Sequence, residues 1–119
     1  MIVRETRKIT SRGMRLHELL QIQSDFQTAY FPIRNIPLSS LASAVACEAM
    51  EIWAASGKWW YKNNREDLEK IKEESIDILH FLLMLWLKLG MNENQIADLY
   101  RKKMQVNIQR QTEGNTRTL

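Results

Sequence analysis

Four carboxylates at matched spacing are the residues of this chain best suited to chemistry. Glu48 and Glu51 stand three apart, as do Glu74 and Asp77, and on a helix a separation of three brings two side chains to the same side. Two acidic pairs can then face each other. Like charges at that spacing repel, and Asp77 lies among Ile76, Ile78 and Leu79, where an unpaired carboxylate is expensive to bury. A hard divalent cation offsets both costs, and magnesium in particular is held by a few carboxylates together with waters and substrate phosphates. The arrangement is therefore poised for phosphate chemistry. Acidic pairs also occur on solvated helix faces; the apolar flanks of Asp77 favour the metal. Both positions 73 and 74 are glutamate, so Glu73 is a second candidate for the ligand assigned to Glu74.

Asp77 and His80 form a D-x-x-H step of the kind that serves di-iron bundles, but those need a second E-x-x-H on another helix. The other histidine, His17, stands in no such motif. Iron chemistry is disfavoured on this ground, and His80 reads as a core histidine or one that supports a neighbouring ligand. Cys47 has no histidine base in its sequence context and reads as a small buried apolar residue. Methionines and most tryptophans read as core; the tryptophans of the segment 58–64 invite a ligand instead.

Four helices must position these groups. Leu16, Leu19, Leu20, Ile22, Phe26 and Tyr30 recur at spacings of three and four, which predicts a first helix over about 14–29. Pro32, Asn35 and Pro37 punctuate the chain after it. Ser39 or Ser40 is suited to cap a second helix, carrying Leu41, Val45, Ala49, Ile52 and Trp53 towards Gly57. Residues 58–64 read as a loop, with Asn64 a cap for a third helix from near Arg65 to Gly90. Asn92 and Gln95 resemble a capping box at the head of a fourth helix, whose inner face is Ile96, Leu99, Met104 and Ile108. No strand-like alternation or repeat interrupts this pattern. The expected fold is an all-α, four-helix bundle-like domain over residues 1–119, with loose ends at about 1–12 and 112–119. The second half of the third helix is apolar nearly all round, so part of it, including Phe81, Leu85 and Trp86, is expected to be covered by a second subunit.

The chain has 119 residues, 45% hydrophobic and 26% charged, which suits one globular domain and excludes a largely disordered chain. Its single cysteine and the absence of an apolar run behind Arg4, Arg7 and Lys8 point to the cytoplasm. The most apolar stretch, residues 76–89, is shorter than a membrane span and holds Asp77 and His80. A net charge of +3 suits a polyanionic ligand without requiring nucleic acid. The Arg101-Lys102-Lys103 run would be the footprint of the competing reading, a helical adaptor or nucleic-acid-binding bundle; clustered carboxylates would repel nucleic acid.

The pattern Glu48-x-x-Glu51, Lys58-x-Trp60, Glu74-x-x-Asp77-Ile-Leu-His80-Phe81 resembles the dimeric all-α dUTPase family, relatives of the MazG-type nucleotide pyrophosphatases. Leu19-Leu20-Gln21-Ile22-Gln23 and Tyr100-x-x-Lys103-x-x-x-Asn107-x-x-Arg110-Gln111 extend the resemblance over nearly the whole chain. It implies hydrolysis of a nucleoside triphosphate, dUTP first and dCTP or another nucleotide as the alternative, by a homodimer or higher homo-oligomer. It further implies that Glu48, Glu51, Glu74 and Asp77 hold Mg2+ and that Glu48 also orients or activates the attacking water. Gln23 and Trp60 would hold the base, and Lys58, Lys62, Lys103, Asn107 and Arg110 would approach the phosphates, with His80 at the substrate site. Little sequence separates the tryptophan loop from the second acidic motif, which departs from longer members and bears on base choice.

Overall fold

Helix formation follows the apolar spacing closely. The computed structural model describes residues 13–57 and 66–114. Helix α1 runs Leu16–Tyr30, α2 Leu38–Ala55, α3 Leu68–Lys88 and α4 Glu93–Thr112, with a short 3-10 turn at Ile33–Asn35 between α1 and α2. Among the described residues there is no strand, and no helix is long and apolar enough to cross a membrane. The expected loop at 58–64, the Asn64 cap and the end at 1–12 lie outside the described residues.

Two helix starts differ from expectation. Helix α2 begins directly after Pro37, with neither Ser39 nor Ser40 as cap. Proline's ring fixes φ near the −64° found there, so the chain enters the helix without a side-chain acceptor. Helix α3 begins at Leu68 rather than near Arg65, because the Asp67 carboxylate accepts from the Lys70 amide at 3.1 Å. An acidic cap both pairs an orphan amide and meets the positive end of the helix dipole. The start of α4 matches expectation: Asn92 and Gln95 bond reciprocally, each at 2.9 Å. Gly90, at φ +69°, supplies the left-handed turn that lets α3 hand over to α4 within four residues.

Helix α3 is the central element, packed mainly against α2 and also against α1 and the 3-10 turn. Among the described residues the buried aliphatic core is small: Leu41 and Leu83 at 2% exposure, and Leu20 at 7%. Phe81, Leu85 and Trp86 are half-buried. Lys88 fastens the end of α3 to the 3-10 turn, donating to the carbonyls of Ile33 and Arg34 at 3.3 Å each.

Helix α4 stands apart from this core. It has no buried residue, and Leu99, Tyr100, Met104, Val106 and Ile108 are exposed. Its head is nevertheless tied down, because Glu93 Oε2 accepts from the His17 main-chain amide at 3.0 Å and meets His17 Nδ1 at 2.8 Å. The His17 side-chain hydrogen bond above all, with the main-chain one and the nearby His17 and Arg15 charges, holds the Glu93 carboxyl below the usual carboxylate range against the opposing effect of desolvation. The expected bundle is thus, among the described residues, an α1–α2–α3 cluster with a largely bare fourth helix, in which Leu99, Met104 and Ile108 of the predicted inner face stay exposed while Ile96 is half-buried.

Candidate active site

The register of α2 on α3 decides which acidic residues meet. Leu41, Ala44, Val45, Glu48 and Ile52 form the less exposed stripe of α2, while Ala49, Glu51 and Trp53 are exposed. Cys47 is also exposed, which corrects its reading as a buried residue: the stripe turns away from it. Glu48 faces the α3 residues Glu74 and Asp77, and oxygens of these three carboxylates lie within 4.8 Å of one another. Glu51 is not in this group. Glu73 is exposed and outside it too, so the structure brings in Glu74 rather than its neighbour.

The group is electrostatically loaded. Glu48 Oε2 is shut off from solvent with no hydrogen-bond partner among the described residues. The Glu74 carboxyl is raised above its ordinary value, chiefly by its contact with Glu48, then by desolvation and by the charges of Glu48 and Asp77; Lys70 opposes this. Two carboxylates can share a hydrogen bond only if one keeps a proton, which reconciles the Glu48–Glu74 contact with an unpaired Oε2. A hard cation resolves the same conflict without a proton. Oxygens bound to one magnesium at about 2.1 Å lie roughly 3–4 Å apart, so a closure of up to about 2 Å, within reach of side-chain rotation, brings these three onto one ion. An all-oxygen donor set with an orphaned buried oxygen fits a magnesium centre.

Beside the carboxylates lies a cavity of about 380 Å3 lined by Ile22, Gln23, Phe26, Gln27, Phe31, His80, Phe81 and Met84. Its walls are largely apolar and aromatic, with Gln23 and His80 as polar groups at the surface. His80 connects it to the acidic group, since His80 Nδ1 is 3.9 Å from Asp77 Oδ1. That distance is an electrostatic contact rather than a hydrogen bond. The structure therefore places Gln23 and His80 on one pocket next to Glu48, Glu74 and Asp77.

The other expected contacts are not assembled in one chain. Lys103, Asn107 and Arg110 are exposed on α4, and the cation whose field reaches Glu74 is Lys70. Lys58, Trp60 and Lys62 lie outside the described residues. Sequence reasoning missed Gln27, a polar side chain at 2% exposure. The i,i+4 spacing of Gln23 and Gln27 on an otherwise apolar helix face was the available signal.

A sequence model of the dUTPase family matches residues 15–96, well over half of the chain. A dCTP pyrophosphatase of Enterobacteria phage T4 is 45% identical over 49 residues, covering 41% of this chain and 29% of that protein. The matched region thus spans less than a third of that relative's length. No solved structure matches significantly. The family match runs from the head of α1 into the first turn of α4 and encloses the carboxylate group and its neighbouring pocket, and on this ground the chain belongs to the dUTPase family.

Proposed function

We propose that this chain is a cytoplasmic, magnesium-dependent pyrophosphatase that hydrolyses dUTP to dUMP and pyrophosphate. The observation that carries the reading is the adjacency of the aromatic pocket to the three carboxylates, joined through His80 and Asp77. A base in the pocket would set its phosphates beside the acidic group. Glu48, Glu74 and Asp77 would hold the ion, and Glu51 could reach it by a rotamer change at the rim. Magnesium supplies charge neutralisation at phosphate oxygens and a more acidic bound water.

The chain's own residues account for the remaining chemistry. Glu48 Oε2, buried and without a partner among the described residues, is suited to accept a proton from the attacking water. As the water oxygen bonds to the α-phosphorus, the bond from that phosphorus to the bridging oxygen breaks and pyrophosphate leaves. Phe26, Phe31 and Phe81 exclude water around the base, and Gln23 offers an amide to its edge. Lys58, Lys62, Lys103, Asn107 and Arg110 would bind the leaving phosphates by charge-assisted hydrogen bonds. The bare apolar face of α4 supports a homodimer in which α4 is covered by, and its cations serve, a second copy.

A second base is favoured by one observation, the similarity to a protein named dCTP pyrophosphatase. The carboxylates and the pocket are separate parts, so the same hydrolysis serves either base. The test is pyrophosphate release from a panel of nucleoside triphosphates with and without Mg2+, in wild type and in Asp77→Asn. Magnesium-dependent release from dUTP, lost in D77N with the helical content retained, is expected. Release from no nucleotide, or a fully active D77N, would overturn the assignment.

A further inference from the structure

Gln27 is buried and has both ends of its amide engaged. Its Nε2 donates to the Phe31 carbonyl at 2.7 Å, and its Oε1 accepts from Gln23 Nε2 at 2.7 Å. The main chain closes the same loop, because the Phe31 amide donates to the Gln27 carbonyl at 3.0 Å. A main-chain carbonyl can only accept, so the Gln27 atom facing it must be nitrogen, which leaves oxygen facing Gln23. The Gln23 atom at that oxygen must in turn be nitrogen. Gln23 Oε1 has no partner among the described residues, and Gln23 lines the aromatic pocket. The chain Phe31–Gln27–Gln23 therefore fixes which end of the Gln23 amide the pocket sees.

We propose that Gln27 is a specificity-determining positioning residue, holding the Gln23 amide in one orientation so that the pocket distinguishes uracil from cytosine. The inference rests on the pyrimidine nucleotide reading of the site. Positions 3 and 4 of the two bases carry opposite patterns: uracil has a donor at N3 and an acceptor at O4, cytosine an acceptor at N3 and a donor at N4. An amide pairs with either pattern if it is free to turn over by half a rotation. A tethered amide matches one order and leaves buried groups unpaired with the other, and unpaired groups are what discriminate between near-isosteric ligands. Gln27 touches neither base in this scheme; it acts through Gln23.

The experiment compares kcat/KM for dUTP and dCTP in wild type, Gln23→Met, Gln27→Met and the double variant. Methionine keeps the volume of glutamine and removes its hydrogen bonds. Wild type should discriminate between the two nucleotides, and Q27M should move their ratio about tenfold towards unity, as the loss of one hydrogen bond's discrimination predicts. Q23M should shift the ratio as well, and adding Q27M to Q23M should shift it no further. A ratio unchanged in Q27M but altered in Q23M overturns the tether alone. A ratio unchanged in both overturns base reading by Gln23 and the tether with it, as does a wild type without discrimination. A purely structural role would lower both kcat/KM values in Q27M equally. Should Q27M fail to fold, side-chain 15N relaxation on the wild type decides: an ordered Gln23 Nε2 is expected, and a freely reorienting one overturns the tether.

Discussion

Replacing Glu48 by Gln should make the metal-free protein more stable while abolishing what the site is built to do. In the metal-free fold Glu48 Oε2 is buried without a partner among the described residues and sits against Glu74. An amide in its place removes one of three clustered charges and can donate to the Glu74 carboxylate. Leaving a buried acceptor unpaired costs about 1–3 kcal/mol, so satisfying it should return an amount of that order. With an unfolding entropy of about 2.1 cal/mol/K per residue, a chain of 119 residues shifts its midpoint by about 4 °C per kcal/mol. E48Q should then melt about 4–12 °C above wild type without metal, at matched protein concentration. Magnesium closes or inverts that gap: at a hundred times Kd, binding adds about 2.7 kcal/mol, or about 11 °C, to wild type and little to E48Q. Calorimetric melts of both proteins, with EDTA and with Mg2+, measure this. An E48Q that is no more stable than wild type in EDTA, yet still gains stability from Mg2+, would refute both the strain and the metal assignment.

Two further outcomes follow from the same geometry. Because the Glu74 carboxyl is raised in the folded state, the fold binds that proton more tightly than the unfolded chain does. Its stabilising contribution is full below the unfolded value and is lost as pH rises through the raised one. Metal-free wild type should therefore lose melting temperature from mildly acidic towards neutral pH, and E48Q, lacking the principal cause of the shift, should lose less; equal slopes would sink the idea. Separately, sedimentation at micromolar concentration should show a dimer, and Leu99→Ser with Ile108→Ser should weaken it while retaining helical content. A wild-type monomer in that experiment would contradict the covered α4 face.

The helices were legible because local chemistry marks them: the Asn92–Gln95 box, Gly90 and the apolar spacing of α1 and α3 are written in short stretches of chain. The starts of α2 and α3 were harder. At each, two acceptable caps lie within a few residues, and Pro37 and Asp67 prevail through backbone geometry and charge that composition alone does not rank. The pairing of Glu48 with Glu74 and Asp77 was readable as two acidic steps, but Glu51 was not separable from Glu48. Helix α2 carries small residues on several sides, Ala42, Ala44, Ala46 and Ala49 among them, so its sequence does not say which stripe docks on α3. Cys47 was misplaced for the same reason. Gln27 was passed over because a polar residue inside an apolar stripe reads as an exception until its two partners are seen.

The sparse core has a consequence for the cell. Three buried aliphatic side chains among the described residues are a thin reserve against the entropy of ordering four helices, and much of the apolar surface of α4 is open to water or to another copy. In the proposed dimer, folding and encounter become one equilibrium, so copy number sets the folded fraction as surely as temperature does. Dilution then acts as a denaturant. A nucleotide held by both copies counteracts it, and the population of competent enzyme would rise and fall with the supply of its own substrate.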